Sequence, residues 1–124
     1  MTLANRRAHW VEPVEWRRAR WLIQASLDEK GRAAEIFLDP ADGLVSVDEN
    51  LLGFVHAAAI TASHLLRGGE TAHAMAERLD CQHPDLLQLA FKFAARIEKD
   101  YGPYVRELES WKRGQAPLPL EAAK

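Results

Sequence analysis

The sequence predicts an α+β domain in which a three-stranded antiparallel β-meander packs on a long alanine-rich helix, followed by a short helix and a C-terminal helical pair. Three observations lead to it. Apolar and polar residues alternate between residues 18 and 39, a glycine-containing turn divides that stretch, and beyond residue 48 apolar residues recur at steps of three and four. With 124 residues, 48% of them hydrophobic, the chain suits one folded domain.

The central strand is predicted from period-two alternation in "RARWLIQASL". Trp21 and Ile23 lie on one face of such a strand, and Gln24 and Ser26 lie on the wetter face. An earlier strand, "HWVEPVEW", contains Pro13. Because proline has no amide hydrogen to donate to a neighbouring strand, we place this strand at an edge of the sheet.

A turn and a third strand follow. "DEKGR" supplies the turn, since Gly31 adopts a positive φ at little steric cost. In the next strand, "AAEIFLD", Ile36 and Leu38 share one face while Phe37 lies on the other, and Pro40 ends the strand. These segments predict an antiparallel meander.

A long helix is predicted to run from a capping box at Ser46 and Glu49 to about residue 67. Its apolar stripe is assigned to Leu51, Phe54 or Val55, Ala58, Ala62, Leu65 and Leu66. Gly68 and Gly69 favour a left-handed termination. The alanines beside the stripe allow the helix axis to approach a sheet closely.

Further helices are predicted in the C-terminal half. "ETAHAMAERL" indicates a short helix, Pro84 suits the first turn of a third helix to about residue 99, and "YGPYVRELESWKR" indicates a fourth helical piece. We divide the chain into a β-meander with helices at 1–82, a C-terminal helical extension of the same domain at 83–113, and a flexible tail at 114–124.

The order of hairpin, acidic loop, alanine-rich helix and short helix is similar to a known arrangement. The segments are "NRRAHW", "ASLDEKGRAAEIFLDPADG" and "AAAITASHLLRGGETAHAMAERL". In their order, and in the Gly-Arg turn, the Glu-Ile-Phe-Leu strand and the Leu-x-x-Gly helix end, residues 3 to 80 resemble the TSCPD-type domain. That domain occurs at the C-terminus of adenosylcobalamin-dependent (class II) ribonucleotide reductases and in small stand-alone proteins.

The resemblance implies a shared fold and a small non-catalytic binding or accessory module, linked to ribonucleotide reductase or deoxynucleotide metabolism. The Thr-Ser-Cys-Pro-Asp string that names the domain is absent, and "LDCQHPD" stands in the chain instead. Cys81 is the only cysteine in the sequence, so it has no second thiol with which to form a two-thiol relay. A chain this small also lacks room for the barrel of a reductase, so we do not expect reductase activity from it alone.

Nucleic-acid binding is the principal alternative function. Five arginines interleave with Trp10, Trp16 and Trp21 in the first part of the chain. Guanidinium groups bind phosphates in bidentate geometry, and indoles stack on bases. The candidate binding residues are Arg6, Arg7, Trp16, Arg17, Arg18 and Arg20. In the competing structural interpretation the tryptophans fill the core and the arginines pair with nearby acids, and the net charge of −2 weakens the electrostatic case.

A metal site is the third possibility. Cys81, His83 and His73 are the candidate ligands, but their spacing matches no familiar zinc site. The competing interpretation, which we favour, makes Cys81 a small apolar filler and His83 a helix cap. No cofactor is predicted. The serines lack a GxSxG context, and "RGGE" lacks the Lys-Ser/Thr of a P-loop, so no catalytic residue is assigned.

Partners and location are the remaining expectations. The longest apolar run, "LLGFVHAAAI", is short for a membrane span, and a single cysteine suits a reducing, cytoplasmic setting. The apolar C-terminal helices either close a monomer core or form a homodimer. The other candidate partners are ribonucleotide reductase, a nucleotide, a single-stranded nucleic acid or another protein.

Overall fold

The computed structural model describes residues 8–41, 48–79 and 85–112. In chain order the elements are β1 (Ala8–Trp16), β2 (Ala19–Leu27), β3 (Ala33–Pro40), α1 (Glu49–Arg67), α2 (Ala72–Arg78) and α3 (Leu86–Lys112). The α+β class and the antiparallel meander are confirmed, with strand order β1-β2-β3. The predicted tail at 114–124, Ser46 of the predicted capping box, and Pro84 lie outside the described residues.

The sheet has the expected alternation of faces, except that Ser26, expected on the wetter face, is fully buried and donates a hydrogen bond to Glu35. Ile23 of β2 lies opposite Leu38 of β3, and both side chains are buried. Pro13 of β1 lies opposite Leu22 of β2, and β1 is an edge strand, as predicted. Since an edge strand has one side without a ladder, the missing amide hydrogen of Pro13 is tolerated there.

The core lies between the face of the sheet that carries Ile23 and Leu38 and the helices, with α3 and α1 packed directly on the strands. Its buried strand residues are Trp21, Ile23, Ala25, Leu27, Ile36 and Leu38, and its buried α3 residues include Leu86, Ala90, Phe91, Phe93, Ala94 and Ile97. Fully burying one large apolar side chain is worth about 1.5–3 kcal/mol. The long alanine-rich helix α1 packs against β3, while α3 contacts all three strands, so the sheet supports two helices.

The buried face of α1 differs in part from the predicted stripe. Val55, Ala59, Ala62, Ser63 and Leu66 are the buried residues of this helix. Phe54 and Leu65, both assigned to the stripe, are 75% and 39% exposed. Either Phe54 or Val55 satisfied the spacing, and the rotation of the helix on β3 buries Val55. The reason is geometric, because neighbouring positions lie about 100° apart around a helix axis.

Both ends of α1 are defined by its neighbours in sequence. At its N-terminus the capping position is Asp48 and not the predicted Ser46, so Glu49 is the first helical residue, and the Asp48 side chain makes no capping hydrogen bond. At its C-terminus Gly69 adopts φ 112°, with its amide on the Leu66 carbonyl at 3.2 Å and the Glu70 amide on the Leu65 carbonyl at 3.1 Å. This is the predicted left-handed termination, of the Schellman type, with Gly69 as the left-handed residue.

The predicted C-terminal helical pair is a single continuous helix of 27 residues. Gly102 and Pro103 suggested a break, because proline removes one helical hydrogen bond and crowds the preceding turn. The helix nevertheless continues, and the β2–β3 turn packs against it at this point through contacts with Gly102 and Arg106. Within the described ranges, each helix is too short or too polar to cross a membrane.

Candidate functional site

The β1–β2 hairpin ends in two consecutive arginines with left-handed backbone. Arg17 has φ 52° and Arg18 has φ 62°, and they form the two-residue loop between Trp16 and Ala19. Positive φ at both central positions is the type I′ geometry, which normally selects Asn-Gly. For residues other than glycine this conformation costs about 1–2 kcal/mol each. We call Trp16, Arg17, Arg18 and Arg20 the arginine tip.

The three arginines of the tip are exposed, whereas the tryptophan is half-buried. The Arg17 guanidinium carbon lies 5.0 Å from the centroid of the Trp16 ring, a cation–π distance. Trp16 also makes an edge-to-face contact with Trp21, at 5.9 Å between centroids and 65° between planes. The Trp16 indole therefore contacts other side chains of the protein. What the tip offers to a partner is positive charge.

The other tryptophans near the arginines also hold the fold. Trp21 is fully buried in the core. Trp10 stacks on Tyr101 of α3, with ring centroids 5.0 Å apart. Trp21 therefore fills the core, as the structural interpretation predicted, and Trp10 has one ring face stacked on α3.

Three of the five sequence-predicted arginines lie in the part of the chain that the structure describes. Arg17, Arg18 and Arg20 share the tip, while Arg6 and Arg7 lie outside the described residues. The described arginines therefore form a compact tip and not a stripe along the strand.

The proposed metal ligands are described only in part. Cys81 and His83 lie outside the described residues. His73 lies on α2, exposed, with its Nε2 3.5 Å from Oε1 of Glu77 one turn away. Across residues 8–41, 48–79 and 85–112 there is no group of three or more His, Cys, Asp or Glu side chains placed to hold a metal ion.

Two serine hydroxyls are committed to the fold. Ser63 of α1 accepts a hydrogen bond from the Ile36 amide at 3.0 Å and lies 2.9 Å from the Ala59 carbonyl oxygen, to which it donates. Ser26 donates to Glu35 at 3.1 Å across the sheet. The hydrogen bond to Ser63 satisfies the Ile36 amide at the edge of β3, which would otherwise be buried without a partner.

A groove of about 450 Å³ lies between β3 and α1 and was not predicted. Asp39 pairs with His56 at 3.1 Å, and Glu35 pairs with Arg67 at 3.4 Å. Two sequence patterns locate this groove. One is the alternation of side chains along β3, and the other is the spacing of residues 56, 60, 63 and 67 at helical steps of three and four in α1. Arg67 neutralises Glu35, and Asp39 is engaged by His56, so these contacts join α1 to the sheet.

Comparison of the chain with protein-family models, with curated proteins and with solved structures gives no match in any of the three.

Proposed function

We propose that this chain is a small non-catalytic binding module that uses the arginine tip to hold an anionic surface of its partner. The TSCPD resemblance supplies the proposed context, an accessory role to ribonucleotide reductase in deoxynucleotide metabolism. The observation that carries the proposal is the pair of arginines, Arg17 and Arg18, at positions with positive φ. Backbone strain of this kind persists where the rest of the structure imposes it, and it concentrates at functional positions.

Charge and geometry both support a binding role for the tip. Arg17, Arg18 and Arg20 are exposed, and none of them takes part in an ion pair among the described residues. The guanidinium group presents several donors in a fixed plane that match carboxylates and phosphates. A hairpin tip also projects from the sheet, so it reaches a partner surface without rearrangement of the core.

The second candidate is a single-stranded nucleic acid, favoured by the same three arginines on one tip. Because the Trp16 ring is covered by Arg17 and packed on Trp21, contacts to phosphates would dominate and base stacking would contribute little. This version of the proposal therefore requires weak sequence preference and a steep loss of affinity with salt. A homodimer through the C-terminal helices has less support, since much of the apolar face of α3 is buried within the chain.

The test compares the wild-type chain with a variant that removes the charges and keeps the turn. In Arg17→Asn/Arg18→Gly, the loop becomes Asn-Gly, the sequence that type I′ turns prefer. Binding to an adenosylcobalamin-dependent ribonucleotide reductase is measured by interferometry, and binding to labelled single-stranded DNA and RNA by fluorescence anisotropy, each at about 50 and 200 mM salt.

We expect one of these partners to bind the wild-type chain and to lose at least tenfold in affinity with the Asn-Gly variant. The matched control is Arg78→Gln/Lys112→Gln, which removes two positive charges from the C-terminal ends of α2 and α3. Binding to the reductase supports the accessory role, and binding to oligonucleotides alone supports the second candidate. If neither partner binds, or if the control lowers affinity as much as the Asn-Gly variant does, the tip is not a binding site.

A further inference from the structure

A second basic surface, which is concave, lies at the end of the sheet opposite the arginine tip. It is a cleft of about 440 Å³ between the β2–β3 turn, α2 and α3. The polar residues that line it are Arg32, His73, Glu98, Lys99 and Arg106. We call this surface the basic cleft. From the sequence, His73 was considered only as a metal ligand, and the other residues of the cleft were assigned to no candidate site.

The walls of the basic cleft are held in place by contacts between the turn and α3. Gly31 lies so close to Gly102 that a Cβ on Gly102 would come within 2.5 Å of the Gly31 carbonyl oxygen. Glu98 accepts a hydrogen bond from the Ala33 amide at 2.6 Å. Nη1 of Arg106 donates to the Lys30 carbonyl at 3.3 Å. The cleft is therefore formed before any ligand arrives, which lowers the entropic cost of binding.

The charges lining the cleft do not balance. Arg32, Lys99 and Arg106 are cationic, and among the described residues none of the three forms an ion pair with a carboxylate. Among the described residues that line the cleft, Glu98 is the one acid, so it offsets only one of the three cationic charges, and its carboxylate accepts a hydrogen bond from the Ala33 amide. The whole chain, by contrast, has a net charge of −2. A concave surface with a local surplus of positive charge concentrates anions from solution.

The shape of the cleft and the type of its cations narrow the ligand. Its volume of about 440 Å³ is that of a small-molecule site and not of an extended macromolecular surface. Arg32 and Lys99 belong to different elements, the turn and α3, so one small anion contacts them both only if it bridges the cleft. Arginine pairs with phosphate through two donors, and lysine binds it as a point charge.

We propose that the basic cleft is a binding site for a small molecule that carries two or more linked phosphate groups. Arg106, fixed by its bond to the Lys30 carbonyl, and Lys99, about two turns before it on α3, hold the phosphates from the α3 side. Arg32 closes the site from the turn. This site is independent of the arginine tip, which lies beyond the other end of β2.

Isothermal titration calorimetry at constant ionic strength tests the proposal, with inorganic phosphate, pyrophosphate, tripolyphosphate and ATP as probes. We expect saturable one-to-one binding of the linked phosphates and at least tenfold weaker binding of inorganic phosphate. The test variant is Arg32→Gln/Lys99→Gln, because both side chains are exposed and neither forms a hydrogen bond among the described residues that the fold depends on. It should keep the wild-type Tm and lose at least tenfold in affinity.

Two controls separate this site from general attraction of anions. Arg17→Asn/Arg18→Gly removes charge from the arginine tip, and Lys112→Gln removes it from the end of α3, and both should bind as the wild type does. Tighter binding of ATP than of tripolyphosphate would support the proposal and identify a nucleotide as the ligand, whereas equal binding would support recognition of the phosphates alone. Absence of binding, or equal loss in test and control variants, would overturn it.

Discussion

Gly31 in the β2–β3 turn and Gly102 in the middle of α3 are in direct backbone contact. A Cβ built on Gly31 would lie 2.7 Å from the Gly102 carbonyl carbon, and one built on Gly102 would lie 2.5 Å from the Gly31 oxygen. Gly31 also has φ 76°. Both positions therefore require the absence of a side chain, and together they set the distance between the hairpin and the helix that form the basic cleft.

Replacing Gly102 by alanine should destabilise the chain, although alanine is the better helix former by about 1 kcal/mol. The added methyl group meets backbone, which has little freedom to move, so we expect a net loss of about 1–3 kcal/mol in the free energy of unfolding. Urea denaturation measures this change in the free energy of unfolding.

Gly53→Ala is the matched control for that substitution. Gly53 also lies inside a helix, α1, but nothing lies within 4 Å of the position of an added Cβ. This variant should gain about 0.5–1 kcal/mol from helix propensity alone. If Gly102→Ala gained stability in the same way, the close contact with Gly31 would not exist in solution.

The Asn-Gly variant of the arginine tip should be more stable than the wild type. Arg17 and Arg18 both hold positive φ, whereas asparagine and glycine adopt it at lower cost. We expect a gain of about 1–2 kcal/mol, seen as a Tm higher by a few degrees. Combined with lost binding, this gain would mean that the arginines are retained for function at the expense of stability.

A single-site comparison separates strain from charge. Arg18→Gly relieves one strained residue and removes one charge, while Arg20→Gln removes one charge from an ordinary strand position. Thermal unfolding should show a rise for the first and little change for the second. An unchanged or lower Tm for Arg18→Gly would contradict a left-handed backbone at that position.

The sheet was predictable because each of its signals is local. The alternation around Trp21 and Ile23, the proline at position 13 and the glycine at position 31 specify strand faces, an edge and a turn without reference to the rest of the chain. The continuous α3 was not predictable in this way. Gly102 and Pro103 are local helix breakers, and the contact that uses the glycine involves a residue 71 positions earlier.

The two candidate sites differ in the same way, since one consists of sequence neighbours and the other of residues far apart in the chain. Arg17, Arg18 and Arg20 could be proposed from sequence because they are neighbours in it, although nothing in the pattern indicated that Trp16 would be covered by Arg17. Arg32, Lys99 and Arg106 come from a turn and a distant helix. Only the fold brings such residues together, so their common location could not be read from spacing.

Ser63→Ala should cost about 1–3 kcal/mol, because it leaves the buried Ile36 amide at the edge of β3 without its acceptor. Thr61→Ala is the control on the same helix. Thr61 is exposed and its hydroxyl bonds only to the Ala57 carbonyl within α1, so we expect a change within about 0.5 kcal/mol. Equal effects in urea denaturation would mean that the serine does not hold the strand edge.

The rotation of α1 on the sheet can be tested with two adjacent residues. Val55 is 6% exposed and Phe54 is 75% exposed, although either fits the apolar spacing of the helix. Val55→Ala should cost about 2 kcal/mol for the lost methyl groups and the space they leave, whereas Phe54→Ala should stay within about 0.5 kcal/mol. The reverse order in chemical denaturation would place Phe54 against β3. In that case the helix would be turned by about 100°, and Ser63 would no longer face the Ile36 amide.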